Sequence, residues 1–201
     1  MMGAAIALLG WIGFGFEPRV GAGPALVGVA LAATITWYDW NHKQNRFSPV
    51  IMGLCRVLVL LGAGLCVTGN PDAALYSAAA LMLCYLIGLT YVAKQENLGR
   101  VESLWPLLFL AAPVVYGAWL ATSRPVVAVF WLLFCGWTLV ALRLLRRRAK
   151  GDIPRAVVSL IAGISLLDAM LIAGTGAAGL AALALLGFGV TLFFQRYISG
   201  T

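Results

Sequence analysis

VIMGLCRVLVLLGAGLCVT, residues 50–68, carries one charged side chain, Arg56, in a run that is otherwise mostly aliphatic and small. At about 1.5 Å per residue, such a run nearly spans the ~30 Å of hydrocarbon in a bilayer. The turn-forming residues GNPD at 69–72 close it. A helix on the surface of a soluble domain would show a polar stripe, and this one shows none. The segment therefore reads as a membrane-spanning helix.

The same pattern recurs along the chain. Apolar segments fall near 2–16, 20–38, 50–68, 73–93, 103–121, 125–143, 155–173 and 178–195, with TSRP at 122–125 and GTG at 174–176 among the joints. The whole sequence of 201 residues is 62% hydrophobic and only 10% charged. Its mean hydropathy is +0.96. That leaves too little charge to cover the outside of a soluble domain. Within hydrocarbon every backbone N–H and C=O must be paired inside its own segment, so the spans are expected to be α-helices. The short alternating segments of an outer-membrane barrel are missing from the sequence. The expected fold is all-α: a polytopic transmembrane bundle of about eight apolar segments, forming one integral membrane domain over residues 1–201. MMGAAIALLGWIGFGF, at the start, has neither a basic leader region nor a small-residue cleavage site, so it reads as a span or part of one.

The basic residues are distributed to one side. Lys43, Arg46, Lys94, Arg100, Arg143, Arg146, Arg147, Arg148, Lys150, Arg155 and Arg196 fall on alternate connections and the C-terminal tail, whereas the opposite connections hold only Arg19 and Arg124. This is the positive-inside pattern. It predicts that the connections at 40–49, 94–102 and 144–155 are cytoplasmic, together with both termini. It also accounts for the net charge of +7 without nucleic acid. The run RLLRRRAK, 143–150, reads mainly as a topology anchor that also attracts anionic headgroups. The four cysteines, Cys55, Cys66, Cys84 and Cys135, lie singly inside apolar runs with no zinc-type spacing and read as small buried residues.

Two cytoplasmic connections carry more than anchors. In YDWNHKQNRFSPVIMGLCR, 38–56, Asp39 and Lys43 stand four residues apart and share one helical face if the second span continues to about residue 43. Arg56 then lies about 9 Å into the next span, where a charge costs about 2.5–3.5 kcal/mol and marks either a snorkelling arginine paired with Asp39 or a functional site. In TYVAKQENLGRVE, 90–102, Tyr91 and Gln95 share a face, with Lys94 and Glu96 beside them and Arg100 and Glu102 following. Guanidinium and ammonium groups from two connections on one side of the membrane suit the oxygens of a diphosphate. Mg²⁺ would ordinarily bridge such a group to carboxylates, which are few here. Asp168, in GISLLDAMLIAG, is a lone carboxyl inside the seventh segment, read as a structural hydrogen-bonding group or as the lining of a polar path.

These two blocks, YDWNHKQNRFSPVIMGLCRVLVLLGAG (38–64) and LIGLTYVAKQENLGR (86–100), resemble the UbiA-type intramembrane prenyltransferase superfamily, and most closely a divergent, EboC-like branch. The resemblance covers roughly residues 20–200. It implies a helical bundle, in the inner (plasma) membrane of a bacterium, that transfers a prenyl group from an isoprenoid diphosphate to a small acceptor. By the same matching, Tyr38, Asp39, Lys43, Arg56, Tyr91, Lys94, Gln95 and Arg100 are the expected substrate-binding residues. Glu96 is the expected metal ligand and Mg²⁺ the expected cofactor. The expected partners are membrane lipid and the isoprenoid diphosphate, without nucleic acid. Trp37, Tyr38, Trp40, Tyr85 and Tyr91 are aromatic candidates for steadying an allylic cation.

The sequence departs from the family in lacking the first aspartate-rich motif and the spans before it, and in having Gln95 and Glu96 where the second motif has aspartates. The corresponding expectation is a chain shortened at its N-terminus or one that has left metal-dependent chemistry. The alternatives from other classes are a non-catalytic membrane scaffold or export component that retains the fold, and a small-solute transporter, for which no internal repeat speaks.

Overall fold

A computed structural model describes residues 22–41, 47–68, 71–96, 108–147, 149, 151–195 and 197. Among them are seven α-helices: α1 (Gly23–Asn41), α2 (Ser48–Thr68), α3 (Ala73–Glu96), α4 (Leu108–Ser123), α5 (Pro125–Arg147), α6 (Asp152–Thr175) and α7 (Ala178–Phe194). All-helical architecture is therefore found as expected. The apolar segment at 2–16 lies outside the described residues.

Seven of the eight expected apolar segments appear as helices among the described residues, and not all of them have the length and apolar character of a span. Among the described residues four helices are long and apolar enough to cross a membrane: Ser48–Val67, Ala73–Ala93, Pro125–Arg147 and Asp152–Thr175. They make this an integral membrane protein. The other three fall short for separate reasons. In α1 the last turns hold Tyr38, Asp39 and Asn41, which dilute its apolar character. The apolar helices α4 and α7 have 16 and 17 residues. At about 1.5 Å per residue, these lengths leave them several ångströms short of ~30 Å.

Helix ends follow local chemistry. Proline, which lacks the N–H that a first turn leaves unpaired anyway, opens α1 at Pro24, α2 at Pro49, α5 at Pro125 and α6 at Pro154. Asp72 caps α3: its Oδ1 accepts a hydrogen bond from the Leu75 N–H at 2.8 Å. Asp72→Ala is expected to cost about 1 kcal/mol of stability, the usual value of such a cap, measured by dodecyl sulfate titration of helicity. Inside the helices several hydroxyl groups find backbone partners, although that of Thr138 in α5 is buried without one among the described residues. Thr34, Thr36 and Thr191 donate to the carbonyls four residues earlier, those of Ala30, Ala32 and Gly187.

The chain forms two compact units, Met1–Ile87 and Gly88–Thr201, with α3 contributing to both. In the first, neighbouring helices run antiparallel. A Cβ at Gly62 of α2 would lie 3.4 Å from Val27 of α1, and one at Gly23 of α1 3.7 Å from Leu65 of α2. Between α2 and α3, Gly53 stands against Leu83 and Gly64 against Leu75. Small residues thus let backbones approach where apolar surface alone gives little drive, because lipid is as apolar as leucine.

The second unit is an up-down-up-down arrangement of α4 to α7, with α6 most deeply buried: 56% of its span window is inside, against 28% for α5. Trp131 Nε1 donates to the Val114 carbonyl at 2.8 Å, tying α5 to α4, and Trp137 Nε1 donates to the Ser159 carbonyl at 2.7 Å, tying α5 to α6. Trp137 also meets Phe188 of α7 edge-on at 4.9 Å between ring centres. Gln195 Nε2 donates to the Val158 carbonyl at 3.3 Å and holds the end of α7 to α6. Gly176 takes a left-handed conformation (φ 94°) to end α6, and the Arg124 guanidinium lies over it, 2.7 Å from where a Cβ would sit. The turns at 124 and 176 thus share one end of this unit. Arg143, Arg146, Arg147, Asp152 and Arg155 lie at the other, so the one-sided charge pattern is built into the second unit.

Candidate functional site

Of the polar residues in the 38–56 stretch, Tyr38 and Asp39 lie at one end of the first unit. Tyr38 and Asp39 occupy the last turns of α1, Tyr38 half-buried and Asp39 exposed. The α1 carboxylate lies close enough to act electrostatically on Cys55, the residue before Arg56 on α2. That proximity follows from the antiparallel α1–α2 packing, which returns the chain alongside itself after residue 41.

Arg56 is deeper than the sequence indicated. Because α2 starts at Ser48, Arg56 is eight residues in, or about 12 Å along the axis. It stands near the middle of the Ser48–Val67 span and its side chain is exposed. Among the described residues no other Lys or Arg lies so far from the end of a span. Tyr38, Asp39 and Arg56 all take part in polar, ionic or ring interactions, so none is an isolated group.

The second set lies at the end of α3. Tyr91 is half-buried and also has an interaction partner. Lys94, Gln95 and Glu96 form the final helical residues of α3. Lys43 and Arg100 lie outside the described residues. The structure therefore brings Asp39 to the Cys55–Arg56 stretch within the first unit and places Tyr91 and Lys94–Glu96 on the part of α3 that belongs to the second.

The aromatic candidates separate by burial. Trp37 is 62% and Trp40 91% exposed, the orientation of headgroup-level anchors rather than of a pocket lining. Tyr85 is fully buried on α3. Asp168, on α6, is half-buried and has an interaction partner. The four cysteines are free and half-buried.

As to Mg²⁺, no group of three or more His, Cys, Asp or Glu side chains that could hold a metal ion occurs among the described residues. Mg²⁺ takes an octahedral set of oxygens, some of them from carboxylates. Asp39 is the one carboxylate of the candidate set among the described side chains, and the side chain of Glu96, the expected ligand, lies outside them.

A further device had gone unread in the sequence. Asp152, 2% exposed in the first turn of α6, accepts a hydrogen bond from the Ala149 N–H at 3.0 Å and stands 3.6 Å from Arg147 Nε. Gly151 before it adopts φ 86°, which a residue with a Cβ resists. The signal was the KGD sequence after the arginine run, a glycine followed by a carboxylate at a helix start. With the Arg147 side chain 73% exposed, the ion pair adds little, and the backbone bond carries the effect. Asp152→Ala is expected to destabilise the second unit by about 1–3 kcal/mol, the cost of leaving a partly buried N–H unpaired. Arg147→Gln should cost less than half of that in the same titration.

No family model, curated protein or solved structure matches the chain.

Proposed function

We propose that this chain is a UbiA-like membrane protein of a bacterial inner membrane that binds an isoprenoid diphosphate at the cytoplasmic end of its helices. The observation that carries the reading is Arg56, a cation near the middle of an apolar span, with Asp39 of the neighbouring helix acting on the adjacent Cys55. A charge so placed is costly and is kept where it has work to do. The helix register supports it as well. In the first unit, antiparallel packing puts the Asn41 end of α1, with Tyr38 and Asp39, and the Ser48 end of α2 at the same end.

In this reading Lys43 and Arg56 hold the diphosphate oxygens. Tyr38 and Asp39 shape the pocket and orient Arg56. Fixed cations favour the negative charge that builds on a leaving diphosphate, so the set would assist loss of the prenyl group to an attacking acceptor.

A second reading has its own support. The low carboxylate count, seven Asp and Glu in the whole sequence, favours a scaffold that binds the prenyl diphosphate without turning it over. The two separate in one experiment: the purified, lipid-reconstituted chain is given geranylgeranyl diphosphate, and binding and diphosphate release are followed with Mg²⁺ and with chelator. Release with Mg²⁺ supports the transferase, and saturable binding without release supports the scaffold. Absence of binding removes both.

A further inference from the structure

The second unit has an open hollow that the reading above does not use. Leu133, Gly136 and Trp137 of α5, Leu166 of α6, and Leu185 and Phe188 of α7 border a space of about 260 Å³ with almost no polar surface. Gly136 faces this open space, for a Cβ added there would meet nothing within 4 Å. Leu133 and Gly136 are exposed, so in a membrane the hollow faces lipid. Water finds no polar partner in such a space, and leaving it empty forfeits contacts along its whole lining. Hydrocarbon fits it.

What hydrocarbon it would be follows from the charge nearby. Gly136, Val140, Arg143 and Arg147 recur at steps of four, three and four, which places them on one stripe of α5, and all are exposed. Arg143 stands about 10 Å and Arg147 about 16 Å along the axis from Gly136. Half a hydrocarbon core is ~15 Å, so a headgroup at the arginines sets its acyl chain at the depth of the hollow. Arg155, in the first turn of α6, lies at the same end of the unit. Arg143, Arg146 and Arg155 make no ion pair among the described residues, and Asp152 offsets only Arg147.

We propose that the groove between α5 and α7 is a binding site for one anionic diacyl phospholipid, its acyl chain in the hollow at Gly136 and its phosphate at Arg143 and Arg147. The charge excess at that end selects an anionic headgroup, and the hollow selects a chain over a bare phosphate.

The test is native mass spectrometry of the full chain in detergent, with phosphatidylglycerol and phosphatidylcholine of identical chains. Wild type is expected to retain one phosphatidylglycerol in preference to phosphatidylcholine. Arg143→Gln, which leaves the Arg147–Asp152 pair intact, should lower that preference roughly five-fold, the worth of one basic residue near an anionic surface. Gly136→Leu should lower retention of both lipids and leave the preference unchanged. Equal retention of the two lipids by wild type would overturn the proposal. So would undiminished retention in Gly136→Leu, or a chain dimer that replaces the lipid. Weakened geranylgeranyl diphosphate binding in Gly136→Leu, with phospholipid retention intact, would assign the hollow to the prenyl chain and likewise overturn it.

Discussion

Arg56→Leu is expected to lose binding of geranylgeranyl diphosphate by about ten-fold or more while making the chain harder to unfold. The two effects have opposite signs for one reason. A charge-assisted hydrogen bond to an anion is worth about 1.5–3 kcal/mol, or some ten- to hundred-fold in affinity, and leucine cannot make one. An arginine near the centre of a span costs about 2.5–3.5 kcal/mol on insertion scales, and leucine removes that cost. Arg56→Lys keeps the charge but not the planar fork, so it should restore part of the binding. Titrated binding of the fluorescent diphosphate and dodecyl sulfate unfolding, on the same preparations, read both quantities. A gain in stability with binding untouched would make Arg56 a snorkelling side chain and move the diphosphate elsewhere.

Gly117→Val is expected to destabilise the second unit by about 2–3 kcal/mol or more, the range for forcing volume into a packed helix contact. Gly117 sits where α4 meets both α5 and α6. A Cβ there would lie 2.5 Å from Trp131 Cδ1 and would press on the Met170 sulfur as well. Methionine can turn aside, but Trp131 is fixed by its indole N–H on the Val114 carbonyl. Gly136→Ala is the matched control. Nothing lies within 4 Å of its new methyl group, so the change should stabilise the helix by about 0.5–1 kcal/mol through propensity alone. If both substitutions shift the unfolding midpoint in the same direction, the packing described for α4, α5 and α6 is wrong.

Why one glycine is fixed by its neighbours and the other is not could not be read from sequence. Both lie in apolar runs beside a tryptophan or an alanine, and only the crossing of three helices tells them apart. The helices themselves were legible. The segments near 50–68, 125–143 and 178–195 became Ser48–Thr68, Pro125–Arg147 and Ala178–Phe194, because proline, glycine and the loss of apolar residues mark those ends. The extension of α5 to Arg147 was missed because arginines read as loop, whereas their stems continue a helix readily. Asp39 and Arg56 were legible as a pair of interest from charge alone. The depth of Arg56 was not, since it depends on Phe47 rather than Val50 accepting the first helical bonds: the N–H groups of Val50 and Ile51 both donate to the Phe47 carbonyl. The Asp152 turn and the tryptophan bonds between helices depend on the register of one helix against another, which a single sequence does not display.

The account depends most on the residue 43 and residue 100 connections opening on the same face of the bilayer. Single cysteines at Lys43→Cys, Arg100→Cys and Ala74→Cys, in a chain whose four native cysteines are replaced by alanine, can be probed with a membrane-impermeant maleimide in sealed vesicles of known orientation. Labelling of positions 43 and 100 from one face, with position 74 reached only from the other, is the predicted result. Labelling of 43 and 100 from opposite faces would contradict the account, which takes both connections to be cytoplasmic.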